Sequence, residues 1–190
     1  MLTIKESLLR SGCEINCKDY KGISPLHIAA YKGQDDNVEI LLKHKADPNI
    51  KDNYESNLFN SIKLGSPIHY AIIESQTNSV QALLDANCDI HCRDNQGNSL
   101  VHYSVLGKGN SIFYIIQLAD RGIDLNMVNN DSDTALILTA KNGIKDNIRI
   151  VQKMLELKAD PYIENKQGES FYSIVSQEAK YNHFICNDSV

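Results

Sequence analysis

The sequence predicts an all-α solenoid in which similar helix–turn–helix units stack along the chain. Two interleaved ladders of residues lead there. The segment LLKHKADPN at Leu41–Asn49 returns as LLRSGCEIN at Leu8–Asn16, LLDANCDIH at Leu83–His91, LADRGIDLN at Leu118–Asn126 and LELKADPY at Leu155–Tyr162. Its acid recurs as Glu14, Asp47, Asp89, Asp124 and Asp160, at intervals of 33, 42, 35 and 36 residues. The segment SPLHIAA at Ser24–Ala30 returns as SPIHYAI at Ser66–Ile72, SLVHYSV at Ser99–Val105 and TALILTA at Thr134–Ala140. Its anchors Ser24, Ser66, Ser99, Thr134 and Ser170 are spaced 42, 33, 35 and 36 residues apart. Periods of roughly 20–50 residues mark repeat architectures, whose units cannot bury an apolar face alone and must stack.

The elements of one unit follow in order. Ser24 precedes an apolar run and can cap a helix, with Pro25 allowed at the first helical position. That first helix is short, and Ala29 and Ala30 permit close packing. A turn follows around Gly33–Asp36. A second helix presents Val38, Ile40, Leu41 and Leu42. It ends near Lys45-Ala46-Asp47-Pro48, where proline discourages continuation. The polar segment IKDN then leads through a hairpin-like turn into the next unit.

Taken together these residues resemble ankyrin repeats, whose period is about 33 residues with a T-P-L-H-x-A motif. The run DYKGISPLHIAAYKG, Asp19–Gly33, carries the resemblance most fully, and it weakens towards the C-terminus. The expected organisation is one ankyrin-repeat domain over 1–190: a partial unit 1–18, full units 19–52, 53–94, 95–129 and 130–165, and a capping unit 166–190. The chain begins in the equivalent of a second helix. Met1–Leu9 is therefore a cap, or the chain is a piece of a longer protein. The hairpin glycine is present as Gly22, Gly97 and Gly168 but becomes Ser132. The glycine ending the second helix is Gly12 and Gly122, but Lys45, Asn87 and Lys158 elsewhere. A left-handed backbone at those positions disfavours lysine by about 1 kcal/mol.

Composition narrows the function classes. The chain has 190 residues, 42% of them hydrophobic, with a net charge of -5. That suits a folded protein, and without a basic face it argues against nucleic-acid binding. No apolar run approaches the ~20 residues of a membrane span, so no membrane insertion is expected. The start lacks the long apolar stretch of a signal peptide. Five cysteines, an odd number, fit a reduced compartment, cytoplasmic or nuclear. Abundant Ile, Asn and Lys fit AT-rich coding.

Candidate chemistry gives way to architecture. His27, His69 and His102 share one repeat position, and the ladder breaks at Ile137 and Ser173. One histidine per unit implies a structural role, whereas a metal or catalytic site needs ligands that converge. Cys13–Cys17 and Cys88–Cys92 share a C-x3-C spacing at equivalent positions, where small buried residues serve the repeat. The Gly107–Ser111 run lacks P-loop spacing, and no nucleophile–base pair stands out. No enzyme activity, cofactor or metal is expected.

The resemblance instead implies protein binding. Ankyrin contacts lie at the hairpin tip and just after the double alanine. Carried over here they are Tyr20, Lys21, Ile23, Tyr31, Lys32, Ile73, Glu74, Asn95, Gln96, Asn98 and Lys141, with Leu106, Asn130, Asp131, Asp133 and Asn142 alongside. Tyr20, Ile23 and Tyr31 stand out as anchors if exposed. Ser66 follows Asp47 by 19 positions, where Ser24 follows Glu14 by ten. The surplus falls in Asn53–Gly65 and includes Tyr54, Leu58 and Phe59, which either bind a partner or fold back on their neighbours. Smaller insertions lengthen the connections near Gly107–Ser111 and Gly143–Asn147. The function expected is an intracellular adaptor or scaffold. The alternatives are an inhibitor similar to the IκB class, a pathogen or viral effector acting in a host-cell cytosol, or the substrate-recruiting part of a larger enzyme.

Overall fold

The computed structural model describes residues 14–53 and 65–177, without the side chains of 144–146. Its helices are α1 (Pro25–Lys32), α2 (Asp35–Lys43), α3 (Pro67–Ile73), α4 (Thr77–Asp85), α5 (Leu100–Leu106), α6 (Ser111–Ala119), α7 (Ala135–Lys141), α8 (Ile144–Glu156) and α9 (Phe171–Ser176). Among the described residues the fold is all-α, with an isolated bridge between Val128 and Thr134. The chain divides into two compact units, 1–96 with 107–110, and 97–106 with 111–190.

In the first unit α1 packs on α2 and α3, and α4 packs on α2 and α3. The core is built by Leu26, Ala29, Ala30, Val38, Leu41, Ile68, Ile72, Val80 and Leu83. Of the four apolar residues of the second helix, Val38 and Leu41 are buried and face the core, while Leu42 is only half-buried. In the second unit α7 packs on α5, α8 and α9, while α6 packs on α5 and α8. Leu100, Ile115, Leu118, Leu136, Val151 and Met154 form its core.

Each first helix is launched by its Ser/Thr anchor. Ser24 Oγ accepts from the His27 N–H, and the ring Nδ1 of His27 accepts from the Ser24 N–H at 3.1 Å. In Ser66 with His69 and Ser99 with His102 the ring Nδ1 likewise accepts from the serine N–H, at 3.2 and 3.1 Å, and lies 3.0 and 2.8 Å from the serine Oγ. Ser170 and Ser173 reproduce it with a hydroxyl in place of the ring, and Thr134 caps Ile137 N–H at 3.3 Å. The break in the histidine ladder therefore leaves the cap intact.

The hairpins are closed by an acid or amide that begins them. Asp19 Oδ1 accepts from the Lys21 and Ile23 N–H groups, each at 2.8 Å, while Asp19 N–H meets the Ile23 carbonyl at 3.0 Å. Asn129 does the same with Asp131 and Asp133, and Asn165 with Gln167 and Glu169. In the hairpins whose tips lie among the described residues, the fourth residue has positive φ: Gly22 +75°, Gly97 +76°, Ser132 +60° and Gly168 +74°. At Gly22 a side chain would also stand 2.4 Å from Asn53 N, so the neighbouring hairpin enforces glycine there. Lys45, Asn87 and Lys158 have φ of 66°, 54° and 67°, as expected for residues ending a second helix in the left-handed region.

The connections differ from expectation at one place. Gly107–Asn110 links α5 to α6, but the surplus near Gly143–Asn147 is absorbed as helix. α8 starts at Ile144 and runs 13 residues, against nine for α2, α4 and α6.

Candidate functional site

The histidines stand inside the stack. His27, His69 and His102 are all 0% exposed. Because Nδ1 accepts from a backbone N–H, Nε2 carries the proton, and in His27 and His102 it donates to a carbonyl of a following repeat. His27 reaches Gly65 O at 3.1 Å and His102 reaches Asp133 O at 2.9 Å. Burial holds the His27 pKa below its ordinary value and lowers that of His69 to about 4. Both rings are thus neutral, and in His27 the neutral ring bridges two repeats.

Cysteine and acid follow the same logic. Cys88 and Cys92 are each 6% exposed and outside any disulfide. Cys92 Sγ lies 3.6 Å from Ser66 Oγ and 3.9 Å from His69 Nδ1, and burial pushes its thiol up to about 11, away from nucleophilic reactivity. Cys17 departs from the small-buried-thiol expectation: it is half-buried and disulfide-bonded. Asp52, 2% exposed, accepts from the Tyr70 hydroxyl and from Gly65 N–H at 3.2 Å. Among the described residues no cluster of three or more His, Cys, Asp or Glu is placed to hold a metal ion.

The surface residues carried over from the motif sort by burial. In the first unit Tyr20 is 86% exposed, and Lys21 Nζ sits 5.3 Å from the centre of its ring. Lys32 is exposed at the end of α1. Tyr31 is half-buried, edge-on to Tyr70 with ring centroids 6.4 Å apart. Glu74 is half-buried and paired with Lys108 at 2.5 Å. Asn95 and Gln96 are exposed. Tyr54, Leu58 and Phe59, with the rest of 54–64, lie outside the described residues.

Ile23, Ile73 and Asn98 are corrections. They are 5%, 8% and 7% exposed, so their side chains belong to the interior and not to a contact surface. Ile23 directly precedes the cap Ser24, and Asn98 accepts from Asn129 Nδ2 at 3.0 Å. In the second unit Lys141 is partly exposed, but its ammonium grips the buried Asp133 at 2.9 and 3.0 Å and Glu169 at 3.4 Å. Asn165 Nδ2 reaches the same Asp133 carboxylate at 2.7 Å. Lys141 therefore ties neighbouring repeats as well as facing solvent. Leu106, Asn130, Asp131 and Asn142 are exposed, whereas Asp133 is 5% exposed.

Another tie between repeats went unread in the sequence. Asn16, Asn49 and Asn126 each use Oδ1 to accept the N–H of the repeat acid one unit on, Asp47, Asp89 and Asp160, at 2.7–2.8 Å. The Asn two residues after Glu14, Asp47 and Asp124 was visible, but only the stacked backbone supplies its partner.

The model of ankyrin repeats, in three copies, matches residues 2–94 and 68–165. The chain belongs to the ankyrin-repeat family. Ankyrin repeats are protein-interaction modules, and this one is an all-α ankyrin solenoid. The chain is also similar to NF-kappa-B inhibitor alpha of Gallus gallus, with 42% identity over 41 residues. That match covers 22% of this chain and 13% of the chicken protein. Among the described residues no helix is long and apolar enough to cross a membrane.

Proposed function

We propose that this ankyrin-repeat chain acts by recognising another protein, as an intracellular adaptor or scaffold. The observation that carries this reading is the family itself, combined with an interior that uses its histidines and buried thiols for structure. The contact surface proposed is the set of hairpin tips and first-helix ends that stay at the surface: Tyr20, Lys21, Tyr31, Lys32, Asn95 and Gln96. Tyr20 supplies the large exposed aromatic side chain that interface energetics favour. The insertion bearing Tyr54, Leu58 and Phe59 extends this surface in the same proposal, on the strength of its apolar sequence.

The short match to NF-kappa-B inhibitor alpha supports a second reading, an inhibitor that masks its partner. The two separate by stoichiometry and effect. Affinity capture with the chain as bait, followed by mass spectrometry, identifies the partner. An inhibitor abolishes that partner's own activity at equimolar ratio, while an adaptor leaves it intact and bridges it to a third protein. A bait that retains no protein above a Tyr20→Ala, Lys32→Ala control would sink both readings.

A further inference from the structure

One repeat position, immediately before the acid or amide that opens each hairpin, changes character between the two units. It is Lys18, Lys51 and Arg93 in the first unit, and Val128 and Glu164 in the second. Within the first unit these residues run in register. Lys18 Nζ donates to the Lys51 carbonyl at 2.7 Å, and Lys51 Nζ donates to the Arg93 carbonyl at 3.4 Å. Lys18 and Lys51 are exposed. A carbonyl satisfies an ammonium N–H without cancelling the charge, so both cations present their charge to solvent.

The nearby carboxylates are turned to other tasks. Asp19 spends Oδ1 on two backbone N–H groups of its own hairpin, and Asp52 is buried under the Tyr70 hydroxyl. The fold does not require a cation at this position, because Val128 and Glu164 occupy it in repeats that form the same hairpin. The tip beside Lys18 is unusual too. Tyr20 is exposed there with Lys21 over its ring, whereas the equivalent tip residues are Asn53, Asn95, Asn130 and Lys166. On a chain of net charge -5, one edge of one unit thus combines a row of cations with an exposed aromatic ring.

We propose that this edge docks an acidic, extended segment of a partner protein, its carboxylates on Lys18 and Lys51 and an apolar side chain on Tyr20. The inference rests on the protein-recognition function and adds the chemistry of the partner. Cations spaced by the repeat match carboxylates strung along an extended chain, and charge complementarity of this kind speeds encounter and sets register. An aromatic side chain beside them contributes apolar contact area, which the charges alone do not provide.

The test uses the full chain and a fluorescein-labelled peptide of glutamates interrupted by one leucine, read by anisotropy. Binding should weaken steeply as salt rises and the Debye length falls from roughly 30 Å to 3 Å. The double variant Lys18→Gln, Lys51→Gln keeps the long stems and should lose about tenfold in affinity, ~1.4 kcal/mol. Lys166→Gln, at a tip of the second unit, should bind as the parent does, and melting temperatures should match throughout. Equal affinity of the double variant, or equal binding of a peptide with Gln for Glu, overturns the proposal. So does tighter binding of a single-stranded oligonucleotide, which would assign the cations to nucleic acid. A partner protein captured equally by parent and double variant overturns the acidic-segment inference while leaving protein recognition standing. If no protein is captured at all, recognition itself fails.

Discussion

His27 Nε2 donates across the stack to the carbonyl oxygen of Gly65, 38 residues further along the chain, at 3.1 Å. The same ring accepts the Ser24 N–H through Nδ1. One side chain therefore starts its own helix and fastens the next repeat. His27→Ala leaves both buried groups unsatisfied, which should destabilise by about 2–4 kcal/mol. Denaturant titration measures this. Zinc should leave the parent curve unchanged, and a zinc-dependent midpoint would restore the ligand role for this histidine.

The pH dependence follows from His69, whose pKa falls to about 4, chiefly through burial and despite the attraction of Asp94. The unfolded chain takes up a proton near pH 6.5 while the folded one resists until about 4. Unfolding thus binds more protons across that window, and stability falls as pH drops from about 6.5 to 4. The loss from this residue is about 3 kcal/mol. His69→Gln should flatten the melting temperature between those pH values, and an unchanged slope would refute the assignment.

Lys45 and Lys158 hold φ of 66° and 67°, a conformation glycine adopts without a side-chain penalty. Lys45→Gly and Lys158→Gly should each be neutral or stabilise by up to about 1 kcal/mol. Thermal melts of the single variants decide it. A loss at either site contradicts the left-handed ending of that helix.

Tyr114 is 1% exposed and its hydroxyl has no hydrogen-bond partner among the described residues. An unsatisfied buried polar group costs about 1–3 kcal/mol. Tyr114→Phe removes the oxygen while keeping the ring against Phe113, whose centroid lies 5.6 Å away. The variant should melt at or above the parent temperature. A clear drop would reveal a partner for the hydroxyl.

The insertion between Asn53 and Gly65 is joined at its base. Asp52 N–H donates to Gly65 O at 3.1 Å, and Gly65 N–H returns to Asp52 Oδ2 at 3.2 Å. Trimming nine residues to a turn like Asp19–Ile23 should leave the melt unchanged, because loop length costs little. Partner affinity should fall tenfold or more, ~1.4 kcal/mol. Full affinity after trimming removes the insertion from the contact surface, and a collapsed melt assigns it to the core.

The sequence by itself determined the parts of this protein that depend on near neighbours. Ser24, Pro25 and the three-residue step to His27 define a helix start, and Gly22, Lys45 and Lys158 mark turns, because caps and left-handed residues act within one turn of the backbone. Repetition of those local signals, at intervals of 33–42 residues, was enough for the solenoid. Only the tertiary structure decided which side chains face outward. Ile23, Ile73 and Asn98 satisfy the motif for surface positions and are nonetheless interior; Leu41 outranks Leu42 in the core; Lys141 grips Asp133; and the surplus after Gly143 becomes helix. The physical reason is distance along the chain. Burial and inter-repeat hydrogen bonds are set by residues roughly one repeat away, and a local pattern does not say which of its faces that neighbour will cover.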